Sequence, residues 1–175
     1  RSTASLITYS SAGTENIIPL DAPFTADATV WVTLFSTIER RRKMPRKMPK
    51  PKMALVVPMS SFRSTLKKVF KNIKGLKSSM VIGPAEVSRN TYDLLVVDES
   101  HRLRRRVNLG TYFKAFDNAC NKLGLDKYNC SELDWVSMQS SNTILFYDEG
   151  QSIKPSDTKK EDFDKLLIRG LEASP

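Results

Sequence analysis

Four short apolar segments between residues 53 and 148 predict the strands of a buried sheet. Each is a continuous apolar run rather than an alternation of apolar and polar positions, which is typical of strands covered on both faces. The segments are 53–57 (MALVV), 78–83 (SSMVIG), 93–98 (DLLVVD) and 143–148 (TILFYD). Runs of this kind indicate a parallel sheet between two layers of helices.

The segments between these runs carry apolar residues at helical spacing. The apolar positions of the first, 60–76, are Phe62, Leu66, Val69, Phe70 and Ile73. We expect Ser60 or Ser61 to cap this helix and Gly75 to end it. Further helices are predicted over 108–125, 132–140 and 161–172. The alternation of strands and helices predicts a three-layer α/β domain, with a mainly parallel sheet flanked by helices.

Residues 1–52 differ from the rest of the chain in composition. The segment 1–39 carries little charge; 5–10 (SLITYS) predicts a strand, whereas 28–39 fits a strand and a short buried helix equally well. The segment 40–52 holds eight basic residues and three prolines, which predicts an extended basic linker. We therefore divide the chain into an N-terminal part (1–39), a linker (40–52) and an α/β core (53–175).

The charge of the chain favours a polyanionic partner. Lys and Arg number 28 against 19 Asp and Glu, for a formal net charge of +9, which points to nucleic acid. No apolar run is long enough to cross a bilayer and no signal-peptide pattern opens the sequence, so we expect a cytoplasmic protein without a membrane partner. Cys120 and Cys130 are predicted to be free thiols, with pairing in an oxidising compartment as the alternative.

Two adjacent carboxylates, Asp98 and Glu99, follow the third apolar run, and Asp148 ends the fourth. Ligands of open α/β sheets bind beyond the carboxyl ends of the strands, so we expect Asp98 and Asp148 to face one crevice. The first carboxylate of such a Walker B-type pair can hold a magnesium ion through water, and the second can orient a water that attacks a phosphate. The alternative is that the acids only form a turn.

The segment 54–68 (ALVVPMSSFRSTLKK) joins a strand to a basic helix through small hydroxyl residues. Ser60 and Ser61, together with the N–H groups of the helix N-terminus, can bind phosphate oxygens of a nucleic-acid strand. The basic residues that would extend this surface are Arg63, Lys67 and Lys68. A solvated amphipathic helix is the alternative interpretation.

Taken in order, four stretches resemble the Schlafen group 3-like DNA/RNA helicase domain, a superfamily 1-like P-loop NTPase family of bacteria and phages. The stretch 54–87 carries a helicase motif Ia-like strand and helix. The others are 92–110 (YDLLVVDESHRLRRRVNLG), 132–135 (ELDW) and 144–157 (ILFYDEGQSIKPSD), the last similar to the third superfamily 1 motif. The resemblance covers roughly residues 53–158.

The resemblance implies a RecA-like P-loop NTPase lobe with ATP, Mg²⁺ and a nucleic-acid partner, DNA or RNA. It assigns Asp98 to Mg²⁺ through water, Glu99 to the attacking water and Gln151 to sensing the phosphate. The residues that would couple this site to the neighbouring loops are His101, Arg102 and Asp148. It also implies a second RecA-like lobe, or a partner protein, for activity.

The phosphate loop of such a family, GxxxxGK[ST], is absent from the sequence. Two segments, 11–18 and 22–30, are candidates for a degenerate form, but the first lysine of the chain is Lys43. Three interpretations follow: a helicase-like lobe with impaired or absent ATP hydrolysis, a non-catalytic basic nucleic-acid-binding module on the same fold, and an active NTPase with an unrecognised phosphate loop or a lysine supplied by a partner.

Overall fold

A six-stranded sheet forms the centre of the protein, in a computed structural model that describes residues 4–10, 16–20, 51–151 and 154–172. The strands are β1 (Ala4–Ser10), β2 (Asn16–Leu20), β3 (Met53–Val56), β4 (Val81–Ile82), β5 (Leu94–Val97) and β6 (Asn142–Asp148). Their order across the sheet is β2-β1-β6-β5-β3-β4. The segments 22–30 and 28–39 and most of 40–52, for which a phosphate loop, an apolar element and a linker are predicted, lie outside the described residues.

The four strands from β3 to β6 are mutually parallel, as the apolar runs predict. Val56 lies opposite both Ile82 and Val97, and Val97 lies opposite Leu145. The carboxyl ends of these strands therefore meet along one side of the sheet, which we call the carboxyl edge. We call the opposite side the amino edge.

The N-terminal strands β1 and β2 form an antiparallel hairpin beside β6. The strand predicted for 5–10 is present, but its direction is reversed: Ala4 pairs with Asp148 and Ser10 pairs with Asn142. The chain therefore leaves β1 at the amino edge, and it enters β2 at Asn16, opposite Thr8. The end of β1, after which the first candidate phosphate segment begins, lies on the side of the sheet away from Asp98.

In the described residues, five helices and several 3-10 turns connect or follow the strands. The helices are α1 (Ser60–Lys71), α2 (Pro84–Val87), α3 (Phe113–Leu123), α4 (Glu132–Met138) and α5 (Lys160–Glu172). Gly124 has a left-handed backbone (φ 68°) and ends α3. The strand predicted for 78–83 is shorter than expected, because Ser78–Met80 forms a 3-10 turn before the two residues of β4.

The predicted cap of α1 is wrong. The N-cap is Met59, whose thioether offers no oxygen to the N–H groups of the first turn. Ser60 and Ser61 lie one and two positions too late to cap and sit inside that turn, where both residues are exposed. The helix also ends at Lys71, before the predicted stop at Gly75, which takes a left-handed conformation (φ 96°) in the following turn.

Helices cover the sheet on both faces, which gives the predicted three-layer α/β architecture. On one face α1 packs Leu66 and Phe70 against Leu55 and Val96. The opposite face packs against residues from α2 to α5, the largest being Phe116, Trp135 and Phe163. Since Ala54 and Val56 face the second core while Met53 and Leu55 face the first, β3 is apolar at every position. None of the helices in the described part of the chain is long and apolar enough to span a membrane.

Candidate functional site

Asp98 lies at the carboxyl edge, directly after β5. Its backbone N–H donates to the carbonyl of Val56 (3.0 Å), which extends the β3–β5 pairing by one residue. The side chain is only 3% exposed, and among the described residues it forms no ion pair. Burial, and then the charge of Glu99, raise the pKa of Asp98 to about 7, although the Glu99 backbone N–H opposes the shift.

Glu99 turns the chain away from the strand in a left-handed backbone conformation (φ 49°, ψ 49°). Its Oε2 accepts from Arg102 Nε (2.8 Å) and lies 3.3 Å from His101 Nε2. The His101 ring, and then Arg102, lower the pKa of Glu99 to about 2 against the opposing effect of partial burial. Neither ring nitrogen of His101 makes a well-formed hydrogen bond to any described residue. Glu99 is therefore held mainly by its hydrogen bond from Arg102.

The two carboxylates therefore differ in what they can do. Asp98 is a buried carboxyl group without a neighbouring cation among the described residues. Its oxygen atoms are ligands that suit a hard divalent ion such as Mg²⁺. Glu99 is already engaged with Arg102, so orienting a water would require it to share or leave that contact. The roles of metal ligand and water-orienting residue stay predictions, and the geometry fits the first better than the second.

The end of β6 lies beside this site. Ser100 Oγ donates to the carbonyl of Phe146 (2.8 Å) and fastens the turn after β5 to β6. Asp148 accepts from the backbone N–H of Gly150 (3.0 Å) and from Gln151 Nε2 (2.8 Å). Asp98 and Asp148 thus lie at the same edge of the sheet, and that they face one crevice stays a prediction. Gln151, the predicted phosphate sensor, is exposed and held by Asp148.

A cavity of about 440 Å³ opens at the carboxyl edge between the N-terminus of α1 and the loops that follow β5 and β6. Its lining includes three serines and three cationic residues, and we call it the serine–arginine cavity. These residues are Ser60, Ser61, Ser156, Arg102, Arg104 and Lys154. The structure therefore brings together two residues of the predicted nucleic-acid surface and one predicted coupling residue. Arg104 and Lys154 were missed, although both lie within the segments of the resemblance.

The other predicted nucleic-acid residues lie apart from this cavity. Arg63 Nη1 donates to the carbonyl of Val57 (2.7 Å), and its guanidinium packs where a Cβ on Gly83 would come within 2.6 Å of Nη1. Arg63 thus braces the turn between β3 and α1 rather than presenting a free charge. Lys67 and Lys68 lie on the outer surface of α1, half-buried and exposed respectively.

A buried carboxyl group positions the loop that carries Arg104. The backbone N–H of Arg104 donates to Glu132 Oε2 (2.9 Å), and the backbone N–H of Glu132 donates to the carbonyl of Arg104 (2.9 Å). Tyr112 donates its hydroxyl to Glu132 Oε1 (2.7 Å), and the Arg104 guanidinium stacks 4.8 Å from the centre of the Tyr112 ring. Burial raises the pKa of Glu132 to about 7, although Tyr112 and Arg104 oppose the shift.

Sequence reasoning did not single out Glu132, the first residue of the ELDW stretch. An acid at the start of a helix is a visible signal, but it is equally the pattern of a residue that complements the helix dipole. Only the fold shows that the carboxyl is 1% exposed and holds a basic loop in place.

Comparison with known proteins agrees with the order of these motifs along the chain. No curated protein and no solved structure gives a significant match. A family model, Schlafen group 3, DNA/RNA helicase domain, matches residues 34–172, a span that takes in the strand-end carboxylates, α1 and all the residues named above that line the serine–arginine cavity. The chain belongs to the Schlafen group 3 DNA/RNA helicase domain family.

Proposed function

We propose that this chain is a RecA-like lobe of a helicase-like P-loop NTPase that binds a nucleic-acid strand in the serine–arginine cavity and hydrolyses ATP weakly or not at all on its own. The observation that carries the proposal is the cavity itself, which is lined by three serines and three cationic residues. Membership of a helicase domain family supports nucleic acid as the partner.

The electrostatics of the cavity favour phosphate. The first turn of α1 has no acidic residue, so its free N–H groups and the positive end of the helix dipole add to the cationic side chains. One acid, Asp157, also lines the cavity, but its carboxylate accepts from the backbone N–H of Lys154 (2.9 Å). A phosphate of the strand would therefore meet mostly hydrogen-bond donors and positive charge.

The proposal of weak or absent ATP hydrolysis rests on the residues that a nucleotide site needs, of which the chain has some and lacks others. A bound magnesium ion would neutralise phosphate charge, and Asp98 is the residue suited to hold it. The sequence offers no GxxxxGK[ST] loop to wrap the phosphates, and Glu99 is paired with Arg102. Since the chain offers a candidate magnesium ligand but no phosphate loop of the usual sequence, weak nucleotide binding is the expected property.

Nucleic-acid binding is tested by the pair Ser61→Asp and Ser61→Asn. Asp puts a negative charge into the cavity, yet favours the helix N-terminus, so loss of binding would not reflect loss of fold. Anisotropy with a fluorescent single strand should show binding about tenfold weaker for Asp, and within about threefold of wild type for Asn. Equal affinities of the Asp variant and wild type would refute the proposal for this cavity.

Calorimetric titration with magnesium and ATP tests the nucleotide half. We expect no heat of binding at micromolar ATP; micromolar affinity would instead support an active NTPase with an unrecognised phosphate loop.

The second candidate function is that of a non-catalytic nucleic-acid-binding module. It is favoured by the absence of the GxxxxGK[ST] phosphate loop and its lysine from the sequence. It predicts that magnesium and ATP, even at millimolar concentration, leave the affinity for the single strand unchanged, whereas a motor lobe predicts a change that Asp98→Asn abolishes.

A further inference from the structure

The outer surface of α1 carries positive charge without compensation. Between residues 53 and 85 the sequence has six Lys and Arg residues and no Asp or Glu. Five of them are the lysines Lys67, Lys68, Lys71, Lys74 and Lys77. Among the described residues none of these five lysines forms an ion pair. A surface of this kind is complementary to a polyanion.

The helix arranges part of this charge in a row. Because residues three and four apart lie on the same side of a helix, Ser60, Ser64, Lys67 and Lys71 form one line along the flank of α1, and Lys74 follows just beyond its end. The 12 residues of α1 span about 18 Å. The buried face of the same helix holds Leu66 and Phe70, so packing on the sheet fixes the row rigidly.

The row connects two basic regions of the molecule. Ser60 at its start lines the serine–arginine cavity at the carboxyl edge. At the amino edge, beyond the end of α1, a cleft of about 550 Å³ is lined by residues that include Lys52, Lys77 and Arg89, together with one acid, Glu86, which lies 3.9 Å from Arg89. Positive charge therefore continues from one edge of the sheet to the other along α1.

We propose that the lysine row of α1 (Lys67, Lys71 and Lys74) binds the phosphate backbone of duplex nucleic acid, next to the strand held in the serine–arginine cavity. The inference rests on the proposed function, since it gives the same partner a second contact surface. It extends the contact from single-stranded to double-stranded nucleic acid, and from the carboxyl edge to the whole outer flank of α1.

The chemistry of the row favours a duplex over a single strand. A surface that binds a single strand along its length usually offers aromatic side chains on which successive bases stack. The two aromatic residues of α1, Phe62 and Phe70, pack against the core, and the row itself presents only hydroxyl and ammonium groups. Such groups contact phosphates and leave bases alone, which suits a duplex whose bases are already stacked and paired.

The same observation disfavours an anionic membrane as the partner. A membrane-surface helix places bulky apolar side chains beside its lysines and buries them among the lipids. The apolar residues of α1 are instead occupied by the sheet, where Leu66 and Phe70 are 0% exposed. Electrostatic attraction to phosphates is the interaction that remains available to this surface.

The test compares two triple variants of equal charge. The row variant reverses the charge of the row with Lys67→Glu, Lys71→Glu and Lys74→Glu. The control variant reverses three exposed lysines on α3 and α5, which pack on the other face of the sheet, with Lys114→Glu, Lys122→Glu and Lys165→Glu. Both sets change the net charge equally. A labelled DNA duplex of about 20 base pairs and its separated strand are titrated by anisotropy at about 50 and 200 mM salt.

We expect the row variant to bind the duplex at least about tenfold more weakly than the control variant, and its salt slope to fall by about two to three, one for each lost phosphate contact. Equal losses in the two variants would mean that only net charge matters and would overturn the inference. So would wild-type protein that binds no duplex, or a row variant that loses binding to phosphatidylserine vesicles but not to the duplex.

The outcome is separable from that of the proposed function. If the row variant keeps duplex affinity while Ser61→Asp loses the single strand, the inference fails and the proposed function stands. If Ser61→Asp has no effect while the row variant loses the duplex, the cavity proposal fails and the row is the nucleic-acid surface. Thermal denaturation of each variant shows whether a loss of binding is a loss of fold.

Discussion

Asp98 and Glu99 are consecutive in the chain, yet their carboxyl groups are shifted in opposite directions. Asp98 points into the protein, where burial raises its pKa to about 7. Glu99 takes a left-handed backbone conformation and reaches His101 and Arg102, which lower its pKa to about 2. At neutral pH the second carboxyl is therefore fully charged while the first is partly protonated.

The Asp98 carboxyl makes stability depend on pH. Its pKa is higher in the folded than in the unfolded chain, so the folded state binds more protons between about pH 4 and pH 7, and its stability falls as the pH rises through this window. Asp98→Asn should remove this contribution and raise the free energy of unfolding by about 1–3 kcal/mol at about pH 8. Urea denaturation at several pH values measures it.

Glu132 contributes with the same sign over the same window, so Asp98→Asn should flatten the pH dependence only in part. Asp164→Asn, at an exposed position of α5, is the matched control for the exchange of an Asp for an Asn. A lower stability of Asp98→Asn at about pH 8 would contradict the assignment, because it would mean that the charged form is the favoured one in the fold.

Removal of the Tyr112 hydroxyl should weaken the anchor of the Arg104 loop. Tyr112→Phe leaves Glu132 Oε1 without its hydroxyl donor, at a cost of about 1–2 kcal/mol where the carboxyl is ionised. The cost should be smaller at about pH 5, where protonation of Glu132 is favoured by its raised pKa. Chemical denaturation at the two pH values checks this; a cost that does not change with pH would speak against it.

Gly83 and Arg63 should be energetically coupled. A Cβ at position 83 would meet Arg63 Nη1 at 2.6 Å and displace the guanidinium from the carbonyl of Val57. Each of Gly83→Ala and Arg63→Ala should destabilise the protein by about 1 kcal/mol, through loss of one hydrogen bond. In the double variant the effects should not add, since both remove the same contact. Additive effects in a double-mutant cycle would show that the residues act independently.

The two cysteines should be unreactive in the folded protein. Cys120 and Cys130 are free and buried, with their sulfur atoms 2.8 Å apart, and burial raises the pKa of Cys130 to about 12. Thiolate is the reactive form, so a disulfide reagent should label neither thiol until urea unfolds the chain. Release of two thiols per chain on unfolding confirms the prediction. Rapid labelling of the native protein would contradict it.

The apolar runs were enough to predict four parallel strands, because burial on both faces leaves its mark on every position. In β3, Met53 and Ala54 face different cores, and both are apolar. The apolar pattern of β1 does not indicate the direction in which the strand runs. A strand such as Ala4–Ser10 can join β6 in either direction without a change in its apolar pattern, so its antiparallel pairing came only from the structure.

Some features of the candidate site could likewise be predicted from the sequence, and others could not. Asp98 could be predicted, since the acid follows a buried strand and the strand fixes its place. The ion pair of Glu99 with Arg102 and the brace from Arg63 to Val57 depend on backbone angles and side-chain directions that spacing does not encode. For this reason a residue such as Arg63, basic and on a helix, was predicted to bind phosphate although it holds a turn together.

The pairing of Ala4 with Asp148 bears on how the protein is made. The first and the last strand of the described residues lie side by side, so β1 has no partner in β6 until β6 has left the ribosome. Contacts between such distant residues form slowly, because a long loop must close first. We expect the β1–β2 hairpin to dock late in folding. Until it docks, the edge of β6 that pairs with β1 stays exposed.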